Sequence, residues 1–173
     1  MTARVGGGGP FGLGHPPARL PTPPTTHPNF LQPIGPRAAS FWLFSVPWGF
    51  RKLLGYVHAR YKMDVWITES GCDGPDEDVT PLPAVLHDTF RLQYYQGYVA
   101  AAEAAAREDG VPIKSYATWS ILDNHEWAEG YARRFGIVYV DFKTQTRHVK
   151  DSARWLAAHF APGAAVNWDK AVV

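Results

Sequence analysis

The stretch "VWITESGCD", Val65 to Asp73, places a short apolar run directly before an acidic residue, Glu69, and a glycine, Gly71. The run is rich in β-branched and aromatic residues, which predicts a buried strand. The glycine and the polar residues that follow predict a tight turn. Glu69 is therefore expected at the point where a buried strand ends. An ordinary solvated loop acid is the alternative that requires no function.

A helix is predicted on either side of this strand. Upstream, Pro47 suits a first helical turn. Four apolar residues after it have the spacing of a helix with one buried face: Phe50, Leu53, Leu54 and Val57. Downstream, Asp88 or Thr89 is expected to cap a long helix that stops at Gly110.

The remaining chain predicts a second strand, a hairpin and a last helix. "IKSYATWSI" is the expected strand, and "LDNHEWAEGYARR" the loop after it. "FGIVYVDF" then turns through "KTQT" into "RHVK", and Asp151 and Ser152 are expected to cap the helix "ARWLAAHF". Strands that alternate with helices predict parallel βαβ units. Two such strands cannot close a sheet, so the chain is expected to be part of a larger barrel or open sheet.

Composition narrows the class of protein. The 173 residues suit one domain, and a net charge of +1 gives no reason to expect a nucleic-acid partner. The single cysteine, Cys72, excludes an intrachain disulfide framework and is expected to be inert. No apolar run approaches the ~20 residues that span a membrane, and no secretory signal is predicted. Residues 1–33 are rich in Pro and Gly and are expected to be disordered. Compartment and oligomeric state stay open.

Two successive strands are predicted to end in clusters that suit a sugar site. One is "TESG", with Glu69, and the other is "TWSILDNHEW", with Trp119, Glu126 and Trp127. In parallel α/β folds the active site gathers at the carboxyl ends of the strands. Indole faces cover the apolar side of a pyranose ring, and carboxylates accept hydrogen bonds from its hydroxyls.

Five segments together closely resemble the C-terminal part of glycoside hydrolase family 1, the β-glucosidase family. They are "IGPRAASFWLFSVPWGFRKLLGYVHARY", "VWITESG", "DTFRLQYYQGYVAAA", "YATWSILDNHEWAEGYARRFGIVYVDF" and "SARWLAAHF". The resemblance implies an α/β fold, the C-terminal portion of a (β/α)8 TIM barrel. About the last two βα units and a hairpin would form an incomplete barrel over residues 34–162, followed by a tail at 163–173.

The resemblance also implies roles for five residues. Glu69 matches the catalytic nucleophile of the family's Thr-Glu-Asn-Gly motif. Trp119 matches a sugar platform, Glu126 a residue that binds the 4- and 6-hydroxyls of the glycone, and Trp127 and Phe135 two further contacts. A glutamate at position 126 would repel a phosphorylated sugar. The implied substrate is therefore a small unphosphorylated β-glucoside, with no cofactor and no metal.

Three departures from the family pattern stand out. Ser70 replaces the asparagine beside the nucleophile, so the turn is expected to be less firmly held. His125 replaces an aromatic residue and is expected to bring a titratable group near the pocket. The family's acid/base glutamate lies in an Asn-Glu-Pro motif, and no such motif occurs in this chain. The chain is therefore expected to be a fragment of a retaining enzyme with little or no activity alone.

Other readings of the same residues remain open. The alternative for the whole chain is a non-catalytic remnant of such a barrel, which binds sugars or serves as an interaction piece. Trp119 and Trp127 could be ordinary core residues, and Glu126 a plain ion-pair partner. Asp123 and Asn124 are expected to be structural loop residues.

Overall fold

A computed structural model of the chain describes residues 33–161 and residue 163. Three helices and four short strands follow one another along these residues: α1 Pro47–Tyr61, β1 Val65–Ile67, α2 Thr89–Arg107, β2 Ile113–Tyr116, β3 Val138–Val140, β4 Arg147–Val149 and α3 Asp151–Phe160. Single 3-10 turns lie at Ala84–Leu86 and Trp127–Glu129. The prediction for residues 1–33 lies outside the described part, apart from Pro33, as does most of the tail at 163–173.

The strands form two separate pairs. β1 and β2 are parallel neighbours, with an irregular register between Val65 and Trp66. β3 and β4 form the predicted antiparallel hairpin. Within the described residues the chain is therefore an α/β unit with two parallel strands and no closed barrel.

Helix α2 lies at the centre of the packing and contacts both α1 and α3. Two clusters of buried side chains carry the core. One joins the turn after β1 to α2 and α3, and contains Ala38, Cys72, Tyr94, Tyr95, Val99 and Leu156. The other joins α1, β1 and the end of α2, and contains Leu54, Val65, Ile67, Ala102, Ala105 and Val111.

Two apolar residues predicted to be buried lie in solvent. Leu53 of α1 is 55% exposed, whereas Leu54 is buried. In β1, Val65 and Ile67 are buried, but Trp66 between them is 64% exposed. Successive strand residues point to opposite faces, and no described element covers the face that carries Trp66.

The predicted helix caps are wrong in detail. Asp88 occupies the N-cap position of α2, but its side chain makes no capping bond there. Instead, Asp88 Oδ1 accepts the backbone N–H of Ser152 at 2.9 Å, so it caps the first turn of α3 from a distance of 64 residues. Helix α3 begins at Asp151, two residues before the predicted start at Ala153, with Lys150 as its N-cap. A long-range partner of this kind has no local sequence pattern.

The ends of α2 and β2 also differ from prediction. Helix α2 ends at Arg107, and Gly110 adopts a left-handed conformation with φ of 68° three residues later. Strand β2 covers only the first four residues of "IKSYATWSI". The remainder leaves the sheet to approach the turn after β1, and the Trp119–Ser120 peptide bond is cis.

None of the helices within the described residues combines the length and the apolar character needed to cross a membrane.

Candidate functional site

A single cleft of about 390 Å³ opens at the carboxyl ends of β1 and β2. All five side chains singled out in the sequence line it: Glu69, Trp119, Glu126, Trp127 and Phe135. They come from three separate segments, namely the turn after β1, the segment after β2, and the loop that precedes β3. The fold therefore brings together residues that are up to 66 positions apart in the chain.

Glu69 lies two residues beyond the end of β1, with its side chain exposed. Among the described residues it has no hydrogen-bond or ion-pair partner, so its carboxylate is free to meet a ligand in the cleft. The absence of a partner sets it apart from the buried acids around it, which are bonded to Arg, Lys or Ser side chains.

The turn that carries Glu69 is held on both sides. The Ser70 hydroxyl is 2.8 Å from the Tyr116 hydroxyl, and the Ser70 carbonyl accepts the Trp119 N–H at 2.9 Å. Burial raises the pKa of Tyr116 to about 12, so it stays a neutral hydrogen-bonding partner. Tyr116 thus supplies a bond that anchors Ser70, and the expectation that the turn is held less firmly than with an asparagine stays a prediction.

The segment from Trp119 to Phe135 also lines the cleft, and we call it the sugar-binding wall; it carries the carboxylate of Glu126. Its only hydrogen-bond contact among the described side chains is with Trp119, whose Nε1 lies 3.4 Å from Oε2. Glu126 is thus not an ion-pair partner within the part of the chain that the structure describes. Trp119 is 36% exposed and Trp127 83% exposed, so neither is a core residue.

Trp127 lies at the tip of a tight turn. The Glu126 N–H donates to the Gly130 carbonyl at 2.6 Å, and the Gly130 N–H donates to the Trp127 carbonyl at 3.1 Å. Trp127 itself has a φ of 42°, in the left-handed region that costs a non-glycine residue roughly 1 kcal/mol or more. The hydrogen bonds of the turn hold this conformation, which presents the indole to solvent.

Phe135 is positioned by a buried acid, Asp123. Asp123 Oδ1 accepts a hydrogen bond from the N–H of Gly136 at 3.0 Å, and Asp123 Oδ2 accepts one from Arg134 Nη1 at 2.5 Å. Lys150 Nζ lies 3.4 Å from the same Oδ1. Asp123 is therefore a structural residue, as predicted, and it bonds the residues on either side of Phe135, Arg134 and Gly136.

Three residues of the cleft escaped the sequence analysis: Trp42, Leu43 and Tyr94. Trp42 and Leu43 lie in an irregular segment before α1, and Tyr94 lies on α2. None of them follows a predicted strand, so the rule that located the other residues could not find them. The sequence hints at them only through its aromatic content, since Phe, Trp and Tyr make up 14% of the chain.

Two other residues have roles that differ from, or refine, the prediction. His125 packs edge-on against Tyr131, with ring centroids 5.3 Å apart, and lines a neighbouring cavity instead of the Glu69 cleft. His125 therefore lies near the pocket, as expected, but its ring does not line it. Cys72 is fully buried, and burial raises the pKa of its thiol, which favours the unreactive protonated form.

Within the described residues no cluster of His, Cys, Asp and Glu is placed to hold a metal ion.

Asp73 is a buried acid at the end of the turn after β1. The Ser40 hydroxyl donates to its Oδ2 at 2.9 Å, and Arg133 Nε is 4.0 Å away, whereas Oδ1 has no hydrogen-bond partner. Burial raises the pKa of this carboxyl above its ordinary value, and the bond from Ser40 opposes that shift only in part.

Replacing Asp73 with asparagine should change how stability depends on pH. A raised pKa in the folded state means that the stability contribution is full below about pH 3.8 and is lost as the pH rises through the folded-state pKa. The amide of Asp73→Asn cannot ionise and so avoids this loss. The melting temperature of the variant minus that of the parent chain should therefore increase as the pH rises from 4 to 7. Melting temperatures of both proteins across that range test this. Parallel curves would contradict it.

Comparison with known proteins places the chain in a family. The family model described as Glycosyl hydrolase family 1 matches residues 20–161. β-Glucosidase 4 of Oryza sativa is 52% identical over 131 residues, which cover 75% of this chain and 27% of the relative. β-Glucosidase 1B of Phanerodontia chrysosporium is 44% identical over 140 residues, which cover 79% and 26%.

Solved structures agree with this assignment. A β-glucosidase of the fungus Humicola insolens, in complex with glucose, matches with a TM-score of 0.73 and 45% identity, over 75% of this chain and 28% of that one. A rice β-glucosidase mutant in a covalent complex with Glc matches with a TM-score of 0.70 and 42% identity, over 73% and 27%. The chain spans about a quarter of the length of the relatives that it matches.

Proposed function

The chain belongs to glycosyl hydrolase family 1, and from that membership we propose that it supplies the nucleophile and the glycone-binding wall of a retaining β-glucosidase. The observation that carries this proposal is the convergence of Glu69 with Trp119, Glu126 and Trp127 in one cleft. The expected substrates are unphosphorylated β-glucosides. The alternative, a remnant that binds sugar without chemistry, requires the same wall but no reactive Glu69.

Glu69 acts as the nucleophile in this proposal. Its carboxylate attacks the anomeric carbon, the bond from that carbon to the leaving oxygen breaks, and a covalent glycosyl-enzyme forms. Water then cleaves this ester and restores the carboxylate, with net retention of configuration. The free, exposed state of Glu69 supports this role, because a carboxylate locked in an ion pair would have to break that pair before it attacked.

In the same proposal, the sugar-binding wall holds the glycone through Trp127 and Glu126. Trp127 offers an open indole face for the apolar side of the ring, and Glu126 offers carboxylate oxygens to the glycone hydroxyls. The negative charge of Glu126 disfavours a phosphate at that position, since like charges repel in a partly desolvated cleft. A relative with glucose bound and another in a covalent complex with Glc support a glucoside as the ligand.

The leaving oxygen needs a proton that Glu69 cannot give. A retaining enzyme places a second carboxyl about 5 Å from the nucleophile for this purpose, and the family's Asn-Glu-Pro motif does not occur in this sequence. Hydrolysis of ordinary alkyl β-glucosides by the 173-residue chain should therefore stay close to background.

A substrate that needs no general acid isolates the role of Glu69. The reagent is a β-glucoside with a dinitrophenolate leaving group and with fluorine in place of the hydroxyl beside the anomeric carbon. Dinitrophenolate leaves without protonation, and the fluorine slows hydrolysis of the ester, so the labelled protein accumulates. Intact-mass spectrometry should show up to one fluoroglucosyl group per chain, and none on the matched variant Glu69→Gln.

The possible outcomes separate the two readings. Labelling that persists in Glu69→Gln would contradict the nucleophile assignment. Quenching of tryptophan fluorescence by glucose, without any labelling of the parent chain, would favour the sugar-binding remnant.

A further inference from the structure

Arg91 of α2 is completely buried, although arginine is among the residues least often found in protein interiors. It does not line the cleft. Its guanidinium is surrounded by acceptors from four residues: Cys72, Glu77, Asp88 and Arg134. Neutralising the charge requires only the two carboxylates, so the two further bonds to backbone carbonyls point to another role.

Two of these contacts join the two walls of the cleft. Arg91 Nε donates to the Cys72 carbonyl at 3.0 Å, three residues after Glu69. Arg91 Nη2 donates to the Arg134 carbonyl at 2.7 Å, and Arg134 directly precedes Phe135. One planar side chain thus spans the backbone of the nucleophile turn and the backbone of the glycone-binding loop.

Acidic residues keep this guanidinium charged and fixed. Asp88 accepts a hydrogen bond from Nη1 at 2.7 Å, and Glu77 accepts one from Nη2 at 2.8 Å. Burial alone would lower the pKa of Arg91, but its pairing with Glu77 outweighs that effect and raises the pKa. Lys150 donates to Glu77 at 2.9 Å and holds that acid in place.

On the cleft side, backbone bonds link the same two walls through the segment after β2. The Trp119 N–H donates to the Ser70 carbonyl at 2.9 Å, and the Ser120 N–H donates to the Phe135 carbonyl at 3.1 Å. The two walls are therefore joined in two places, by the segment after β2, which lines the cleft, and by Arg91, which does not. Among the described side chains, Arg91 donates hydrogen bonds to the backbone of both walls from a single rigid group.

We propose that Arg91 is a positioning residue that sets the distance between Glu69 and the sugar-binding wall. This inference rests on the proposed function for its catalytic consequence, although the structural coupling can be tested separately. The two walls have different roles, because Glu69 attacks from one and Glu126 and Trp127 bind the glycone from the other. Loosening their connection should therefore slow attack by Glu69 more than it weakens sugar binding.

The test uses Arg91→Lys, which keeps the positive charge. An ammonium group lacks the planar fork of donors, so it cannot bond both carbonyls in the same geometry. With the fluoroglucoside reagent, we expect the limiting rate of labelling to fall by about 10- to 100-fold. The reagent concentration at half-maximal rate should change by no more than about threefold, because the binding wall itself is intact.

Leu54→Ala is the matched control. Leu54 is buried in the core cluster between α1, β1 and α2, which has no part in the cleft. This variant should melt at a lower temperature yet keep the labelling rate of the parent chain. An unchanged rate in Arg91→Lys, or an equal loss of rate in both variants, would overturn the proposal.

Amide hydrogen exchange gives a readout that does not need labelling. Arg91→Lys should accelerate exchange at the Trp119 and Ser120 amides by at least about tenfold relative to Leu54→Ala, compared under conditions of equal global stability. Equal exchange in the two variants would overturn the proposal. If the parent chain is not labelled at all, the proposed function fails, while this measurement still decides the role of Arg91.

The parent chain provides the test if Arg91→Lys does not fold. In native-state exchange at low denaturant concentration, the Trp119 and Ser120 amides should open in one step, with the same free energy and the same denaturant dependence. Separate opening of these two amides would show that the walls are not coupled, and would overturn the proposal.

Discussion

Mixing the chain with the amino-terminal three quarters of an active family member is expected to produce β-glucosidase activity that neither piece has alone. That partner supplies the Asn-Glu-Pro glutamate, while this chain supplies Glu69. General-acid catalysis contributes about 10²- to 10⁴-fold, so turnover of an alkyl β-glucoside should rise at least about 100-fold above the sum of the separate pieces. Release of glucose over time provides the measurement, and the β-anomer should be the first product.

The surface beside β2 has the character that such an association needs. Within the described residues β2 pairs only with β1, so its other edge is free to accept a strand. An apolar groove of about 640 Å³ lies next to it, lined by side chains from β2, the hairpin and α3, among them Tyr116, Ile137, Leu156 and Phe160. Ile121, which is 67% exposed, also lines this groove.

Two matched controls separate chemistry from association. A partner piece whose Asn-Glu-Pro glutamate is replaced by glutamine should associate but not restore turnover. The chain with Glu69→Gln should behave in the same way. Turnover that survives Glu69→Gln, or a stable complex without any turnover, would contradict the division of catalytic groups proposed for this family member.

Gly71→Ala is expected to have the largest effect on stability of any single methyl group in the site. A Cβ on Gly71 would lie 1.7 Å from the Trp119 carbonyl oxygen, far inside van der Waals contact. That oxygen is backbone and accepts a hydrogen bond from the Tyr95 hydroxyl at 3.2 Å, so it cannot move away cheaply. We expect a loss of about 3 kcal/mol or more in the free energy of unfolding, measured by urea denaturation.

Gly55→Ala provides the control for the same chemical change. Gly55 lies in the middle of α1, and nothing lies within 4 Å of the position that its Cβ would occupy. Alanine favours a helix over glycine, so this variant should be stabilised by about 0.5 to 1 kcal/mol. A loss in Gly71→Ala no larger than about 1 kcal/mol would show that the turn after β1 is not packed against Trp119 as described.

Most of the fold followed from local sequence pattern. The three helices, the two parallel strands and the hairpin were predicted at their observed places, because apolar periodicity and turn residues are local features. The site residues were located because they follow strands whose carboxyl ends meet at one edge of the sheet. The family resemblance, which the comparisons confirm, added a role for each of them as a hypothesis.

What escaped prediction depends on contacts between distant segments. The capping of α3 by Asp88, the anchoring of Ser70 by Tyr116 and the wall-to-wall contacts of Arg91 join residues that are 19 to 64 positions apart. Arg91 in particular has the sequence context of an exposed helical residue. Its complete burial results from acids contributed by other segments, and no periodic pattern records such partners.

Localising the fluoroglucosyl label tests whether Glu69 is the nucleophile. Trypsin should release a peptide from Met63 to Arg91 that contains Glu69 together with six other carboxylates, including Asp73 and Glu77. Fragmentation of this peptide by tandem mass spectrometry assigns the label to one side chain. We expect a single ester on Glu69. A label on another carboxylate, such as Glu126, or spread over several acids of the peptide, would contradict it.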